Sequence, residues 1–472
     1  MPEREESRLG TAPLGKLVLS LALPSVLAQL VNLLYNIVDR VYVGHIADTG
    51  ALALTGLGLC TPLILIVAAF AYFAGSGGAP RAAMELGRGD REKAGRYLAQ
   101  SFLLMLVSAA VLTPLLLWLR APLLRFFGAS DDTIGFADRY IRIYLCGTVF
   151  VQLALGLNTF ITAQGQAKTA MLSVVIGAAA NIILDPIFIF LFDMGVEGAA
   201  LATVISQAVS AAWVLRFLLS KRSVLPLRLR DMKPDLSVIG EIASLGVSPF
   251  IMQVTECLIA IVFTNGLQHY GGDLYVGSYT ILQSVMQLMF VPANGFTNGA
   301  QPIVSYNYGA GNYARVKRCF LLMVAAALGY TALFYALVAL FPAFFAALFT
   351  SDAALRALAA EKMPIYLAGM SVFGLQMSVQ SSFLGMGQAK VSLFIACLRK
   401  VILMTPLALI LPLFLDTDGL YLAEPIADGL SAMTATVLFA VSARRLLHKP
   451  DAIERLQETG YRSGMETGET DA

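Results

Sequence analysis

Residues 75–96 and 297–318 carry one pattern twice, 222 positions apart. Gly77, Pro80, Gly87 and Gly89 fall on Gly299, Pro302, Gly309 and Gly311. The same offset sets Phe127 on Phe349, Tyr144 on Tyr366, Gly147 on Gly369, and Gln166-Ala167-Lys168 on Gln388-Ala389-Lys390. The register slips by one or two near the ends of the repeat, where Gln29 meets Gln253 and Gly198 meets Gly419. A long, nearly ungapped self-match in an apolar chain predicts two membrane lobes facing each other across a central path. Transporters use that arrangement far more often than enzymes do.

Only 14% of the 472 residues are charged and 57% are hydrophobic, against roughly 25% charged in soluble domains. Uncharged runs at 17–38, 49–80, 97–119, 143–167, 274–314, 319–351 and 363–389 each reach the ~20 residues that cross a bilayer as a helix. Split at Gly, Pro and charge, they predict twelve spans. These lie near 17–44, 51–76, 96–119, 138–162, 169–191, 197–218, 238–268, 274–300, 318–348, 360–384, 391–415 and 419–443. The expected fold is an all-α polytopic membrane protein, its two six-helix lobes related by a pseudo-two-fold axis along the membrane normal. The expected parts are an N-terminal tail (1–16), an N-lobe (17–219), a polar linker (220–237), a C-lobe (238–445) and a C-terminal tail (446–472). The first sixteen residues lack the short apolar core and cleavage site of a secretory signal, so the first apolar run is expected to stay as a helix. The five cysteines are scattered without a CxxC pair and read as small apolar residues.

Lys and Arg collect in alternate loops: Arg81 to Arg96, Lys168, Arg216 to Lys233, Arg315 to Arg318, Lys390, and both tails. The positive-inside rule places that side, and both termini, in the cytoplasm. The near-neutral net charge of +2 gives no reason to expect nucleic acid.

A carboxylate at the centre of a membrane helix costs about 2.5–3.5 kcal/mol, so one that persists usually lines a path or binds something. Asp39 lies far along the first span and Asp185 deep in the fifth. Asn181 is on the same helix face as Asp185, and Thr203 enters the sixth span at a matching depth. Acid, amide and hydroxyl oxygens together suit a small hard cation such as Na⁺, or a proton. Pro186 frees a backbone carbonyl as a further oxygen. The plain alternative for Asp39 is a pairing with its neighbour Arg40. In the repeat these acids fall near Phe263 and Leu407, so the cluster belongs to one lobe.

The C-lobe has charges of its own: Glu256, Arg399, Lys400, Glu424 and Asp428. Two readings stay open for them. Glu256 faces a central cavity and attracts cations, or Glu256 and Glu424 are neutralised by Arg399 and Lys400 in buried pairs. In the eighth span Met286, Met289 and Phe290, with Gln283 and Gln287 alongside, are candidates for a cavity wall that adapts to many apolar shapes. Packing is the competing account of that stripe. There is no HExxH, Walker A, GxSxG or GxGxxG pattern, hence no expected nucleotide site, cofactor or catalytic residue. Uphill transport would then draw on an ion gradient.

YNIVDRVYVG, GRGDREKA, ITAQGQAK and NIILDPIFIF followed by GVEGAALATVISQ resemble the multidrug and toxic compound extrusion (MATE) family of bacterial efflux antiporters. The similarity runs over about 15–445. It implies export of organic cations or amphiphiles in exchange for H⁺ or Na⁺ across the bacterial cytoplasmic membrane, by a protein expected to act as a monomer. The family's N-lobe ion site maps onto Asp39, Asn181, Asp185 and Thr203, with Asn158 as a further member, and its hinge proline onto Pro24. Some branches also use a span-seven glutamate, which Glu256 matches. The span-ten aspartate of those branches has no counterpart here. The alternative cargo on such a scaffold is a lipid-linked saccharide or another endogenous metabolite, for which a cationic cavity would be wanted.

Overall fold

The structure, a computed structural model, describes residues 8–46 and 49–446, without the side chains of Leu229, Cys257 and Arg444. The helices of the first lobe are α1 (Leu14–Gly44), α2 (Gly50–Arg88), α3 (Arg91–Phe126), α4 (Ile134–Cys146), α5 (Thr148–Ala163), α6 (Ala167–Pro186) and α7 (Gly195–Leu218). The second lobe comprises α8 (Leu236–Gly271), α9 (Asp273–Gly309), α10 (Tyr313–Leu340), α11 (Pro342–Ala347), α12 (Ala353–Tyr366), α13 (Met370–Gly385), α14 (Ala389–Cys397), α15 (Thr405–Ile410) and α16 (Pro412–Leu446). Pi-helical turns extend α6 (Ile187–Leu191) and join α14 to α15 (Leu398–Met404).

Among the described residues ten helices are long and apolar enough to cross a membrane, counting α6 and α14–α15 through their pi turns. The pair α4 and α5, bent by 59°, makes an eleventh. The expected tenth span is α12 and α13, of 14 and 16 residues, each too short alone. Both broken spans break at equivalent glycines. A Cβ on Gly147 would stand 2.6 Å from Val204, and one on Gly369 would stand 2.7 Å from the Pro425 backbone. Only glycine lets the crossing helix come that close.

The repeat is also visible in the turns. Gly89 and Gly311 hold left-handed backbone, φ 84° and 75°, which L side chains resist. The next residue caps the following helix each time: Asp90 accepts from the Lys93 N–H (2.8 Å) and Asn312 from the Arg315 N–H (3.2 Å). GRGD and GAGN are therefore the same turn with the same N-cap chemistry.

The lobes meet at the end that holds the first and last described residues. There α2 lies along α8, and α1 along α9. A Cβ on Gly87 would stand 1.9 Å from the Tyr306 carbonyl oxygen, and one on Gly309 would stand 1.9 Å from that of Met84. Met84 and Tyr306 are themselves equivalent by the 222 offset, so these contacts are reciprocal, as a two-fold axis requires. Gly77 against Gly246 and Gly299 against Ala22 repeat the arrangement one layer up. The linker is strapped to the first lobe. Gln164 Oε1 accepts from the Ser223 hydroxyl and the Val224 and Leu225 N–H groups, while Gln100 Nε2 donates to the Asp231 and Lys233 carbonyls. Large apolar side chains such as Trp118, Phe344 and Phe414 are exposed on the outside, as a hydrocarbon solvent allows.

Candidate functional site

A cavity of about 210 Å³ opens within the first lobe and reaches α9. Gln29, Asn32, Asn158, Thr203, Gln207 and Asn298 are on its wall. Apart from the phenols of Tyr35 and Tyr72, none of its lining residues is ionisable. Tyr35 and Asn181 mark one end. Asp39 lies one turn past Tyr35 on α1, and Asp185 one turn past Asn181 on α6. Helices α1 and α6 pack against each other, so the two acids cluster just beyond that end of the cavity.

Both acids are buried, Asp185 completely. Asn181 Nδ2 donates to Asp185 Oδ1 at 3.1 Å. Four buried oxygens, Asp39 Oδ1, Asn181 Oδ1, Asp185 Oδ2 and Asn158 Oδ1, have no hydrogen-bond partner. Leaving a buried polar atom unpaired costs about 1–3 kcal/mol, and the three on Asp39, Asn181 and Asp185 together suit a ligand that needs oxygens. A proton or a small monovalent cation fits. Among the described residues no group of three or more His, Cys, Asp or Glu could hold a metal, so the set does not resemble a divalent centre. Arg40 is exposed beside Asp39, and no ion pair between the two occurs among the described residues. Asn158 is set apart on α5, its amide donating to the Ala170 carbonyl at 3.3 Å.

Two tyrosines that the sequence reading passed over belong here. Tyr35 is within electrostatic reach of both acids, and Tyr140 shares a hydrogen bond with Thr203 beside Asp39. Tyr35 could have been found four residues before Asp39. Tyr140 lies about a hundred residues away, and no local pattern points to it.

Pro24 is buried inside an unbroken α1. Just around it α1 is clamped to the C-lobe, with Ala22 and Val26 against Gly299 and Gly295. The outer half of α1, carrying Asp39, lies beyond that clamp.

The C-lobe charges pair. Arg399 binds Glu424 at 3.0 Å and Asp428 at 2.5 Å, and its guanidinium stacks 4.3 Å over Phe373. Lys400 binds Glu256. The Arg399 cluster fits the buried-pair account, whereas Glu256 is paired but its side chain stays 44% exposed. Met286 and Met289 are buried in the C-lobe core beside Tyr279, Met363 and Tyr366 and do not line the cavity. Packing explains that stripe. Phe290 packs on the same core, and Gln283 Nε2 donates to the Tyr279 and Tyr366 hydroxyls. Gln287 is exposed on a polar row of α9 that continues to Asn294 and the cavity residue Asn298.

Two lobes joined by reciprocal contacts, with unpaired acids beside a cavity, define a membrane transporter rather than an enzyme. The family model described as MatE matches residues 24–187 and 249–410, and the chain belongs to the MATE family. It is similar to the "Multidrug export protein MepA" of Staphylococcus aureus strain NCTC 8325, 24% identical over 435 residues (92% of this chain, 95% of the relative). The Staphylococcus saprophyticus protein of that name is 23% identical over 434 residues, with the same coverage of both chains. Among solved structures it resembles an outward-facing MATE family transporter of the MOP superfamily, with TM-score 0.86 and 24% identity over 93% of this chain and 98% of that one. A Pyrococcus furiosus MOP superfamily transporter, whose title speaks of a binding pocket of reverse polarity, gives 0.87 and 23%, covering 94% and 98%.

Proposed function

We propose that this protein exports cationic or amphiphilic organic compounds in exchange for H⁺ or Na⁺, acting as a monomer in a bacterial cytoplasmic membrane with both termini inside. The carrying observation is the set of unpartnered buried oxygens on Asp39, Asn181 and Asp185 at the end of the cavity. An ion bound there completes their coordination, and Asp39 couples that event to α1. The segment of α1 beyond Pro24 is the part free to move, since the part at Pro24 is held by α9. Export by the MepA proteins, as their names state, supports the choice of cargo. A lipid-linked saccharide is the weaker reading, because Arg399 and Lys400 are already neutralised by Glu424, Asp428 and Glu256.

The test is dye export from proteoliposomes with a pH gradient and a Na⁺ gradient imposed separately. A carboxylate about 4 Å from a cation contributes on the order of 4 kcal/mol at an effective dielectric near 20. Asp185→Asn should therefore weaken ion binding by a factor of roughly 100 or more and stop gradient-driven export, while the protein inserts and folds normally. Normal gradient-driven export by that variant would refute the proposal.

A further inference from the structure

Residues 8–12 do not trail away from the helices. Leu9 is 1% exposed and packs with Leu17, Ala167, Ile303 and Val316. It is seated between the lobes, where Gly165 faces it from the N-lobe. Two C-lobe side chains hold it. Asn307 Nδ2 donates to the Leu9 carbonyl at 2.9 Å, Arg315 Nε donates to the same oxygen at 3.2 Å, and Arg315 also donates to the Ala12 carbonyl. Ala167 is shared by the Leu9 cluster and the cavity wall, and Gln301, Pro302 and Ser305 line the cavity beside Ile303 and Val304 of that cluster. Leu9 thus lies behind Ala167, beyond the end of the cavity opposite Asp39 and Asp185.

The repeat shows that these contacts are special to one lobe. Asn307 is equivalent to Glu85, and Arg315 to Lys93. In the N-lobe the buried Glu85 binds Lys93 at 3.0 Å and Arg88 at 2.7 Å, so base and acid satisfy each other. In the C-lobe the acid has become an amide, and the base turns to the backbone of residues 9–12 instead.

We propose that residues 8–12 are a latch on the terminus-side gate, and that Asn307 and Arg315 are positioning residues that fasten it. The inference rests on the transport reading above, because a gate matters only if the cavity opens alternately to the two sides. Opening at that gate separates Gly165 and Ala167 from Asn307 and Arg315, and residues 8–12, which lead into α1 of the first lobe, then leave the wall that Asn307 and Arg315 form.

The test places a cysteine at Ser76, on the cavity wall, in the full-length protein with its native cysteines replaced. Its modification by a membrane-impermeant maleimide is timed from each side of the membrane. Arg315→Ala and Asn307→Ala should raise the rate from the terminus side about tenfold, the factor that accompanies ~1.4 kcal/mol, and lower it from the other side. Arg315→Lys, which keeps one charged donor, should restore part of the difference. A purely structural loss would lower the melting temperature without reversing the sidedness. As a second arm, Gly10→Cys and Tyr306→Cys, whose residue-10 Cβ would stand 3.2 Å from the Tyr306 ring, are bridged by a short bismaleimide. Bridging should stop export. Unchanged sidedness in both alanine variants, or export that continues while bridged, overturns the latch. Labelling needs no transported substrate, so a wild type that moves no dye would count against the functional reading alone.

Discussion

Replacing Gly309 by alanine tests whether the glycine clasp sets the balance between the two open states. The added Cβ would stand 1.9 Å from the Met84 carbonyl oxygen, where ordinary contact begins at 3.4 Å. Helices α2 and α9 must therefore part by about 1.5 Å, and overpacking of that kind costs typically 1–3 kcal/mol. The cost falls only on the state closed at the terminus end, because the contact is absent once the lobes separate there. A differential of that size shifts a two-state equilibrium by about 5–150-fold. The readout is the sided labelling of a cavity cysteine, and Gly329→Ala serves as control because nothing lies within 4 Å of the site. Gly87→Ala meets the Tyr306 carbonyl at the same distance, so it should behave alike. The double variant should shift less than the sum, since one added methyl already opens the gap the other needs. Gly309→Ala indistinguishable from Gly329→Ala would refute the reasoning.

Pro24→Ala restores a backbone donor in α1 and should straighten and stiffen it. Export should slow several-fold with ion affinity unchanged, measured by efflux beside ion-dependent tryptophan fluorescence; equal loss of both would place Pro24 in the ion site instead. Arg399→Ala leaves Glu424 and Asp428 buried without their cation, a loss of about 3–5 kcal/mol. It should lower the melting temperature in detergent, while export per folded molecule persists; abolished export by a stable protein would make the cluster functional.

The spans, the lobes and the doubled turn were legible because hydrophobic length and glycine position are local signals. Gly89 with Asp90 and Gly311 with Asn312 state their turn outright. The two buried acids were legible for a related reason: charge is costly in a membrane, so Asp39 and Asp185 stand out in otherwise apolar spans. What the sequence hid depends on direction. Met286 and Met289 sit at helical spacing, but spacing cannot say whether a stripe faces a cavity or a core, and here it faces Tyr279 and Tyr366. Pairing is hidden in the same way. Glu256 and Lys400 are 144 positions apart, and only the fold makes them partners. The cavity itself was invisible, being assembled from single residues of several spans, none remarkable in its own segment.

The two lobes are not equipped for the same work. Each carries a pi-helical irregularity in its fifth span, at non-equivalent places: Ile187–Leu191 just after Pro186, and Leu398–Met404, which the 222 offset sets on 176–182. Such irregularities widen a helix and free backbone groups, and they recur at functional sites. In the first lobe the irregularity adjoins Asp185, whose Oδ2 is unpaired. In the second it carries Arg399 and Lys400, which bind three acids from α8 and α16. A carboxylate that faces no cation changes its state when an ion arrives, whereas Asp428 and Glu424 already have their charge neutralised by Arg399, although Asp428 Oδ2 accepts no hydrogen bond. The pairs also bridge helices, so any change that freed those acids would first have to separate α8 and α16 from the pi turn. The break beside Asp185 is therefore suited to respond to an ion, and the one that carries Arg399 and Lys400 to hold its lobe rigid while the first moves.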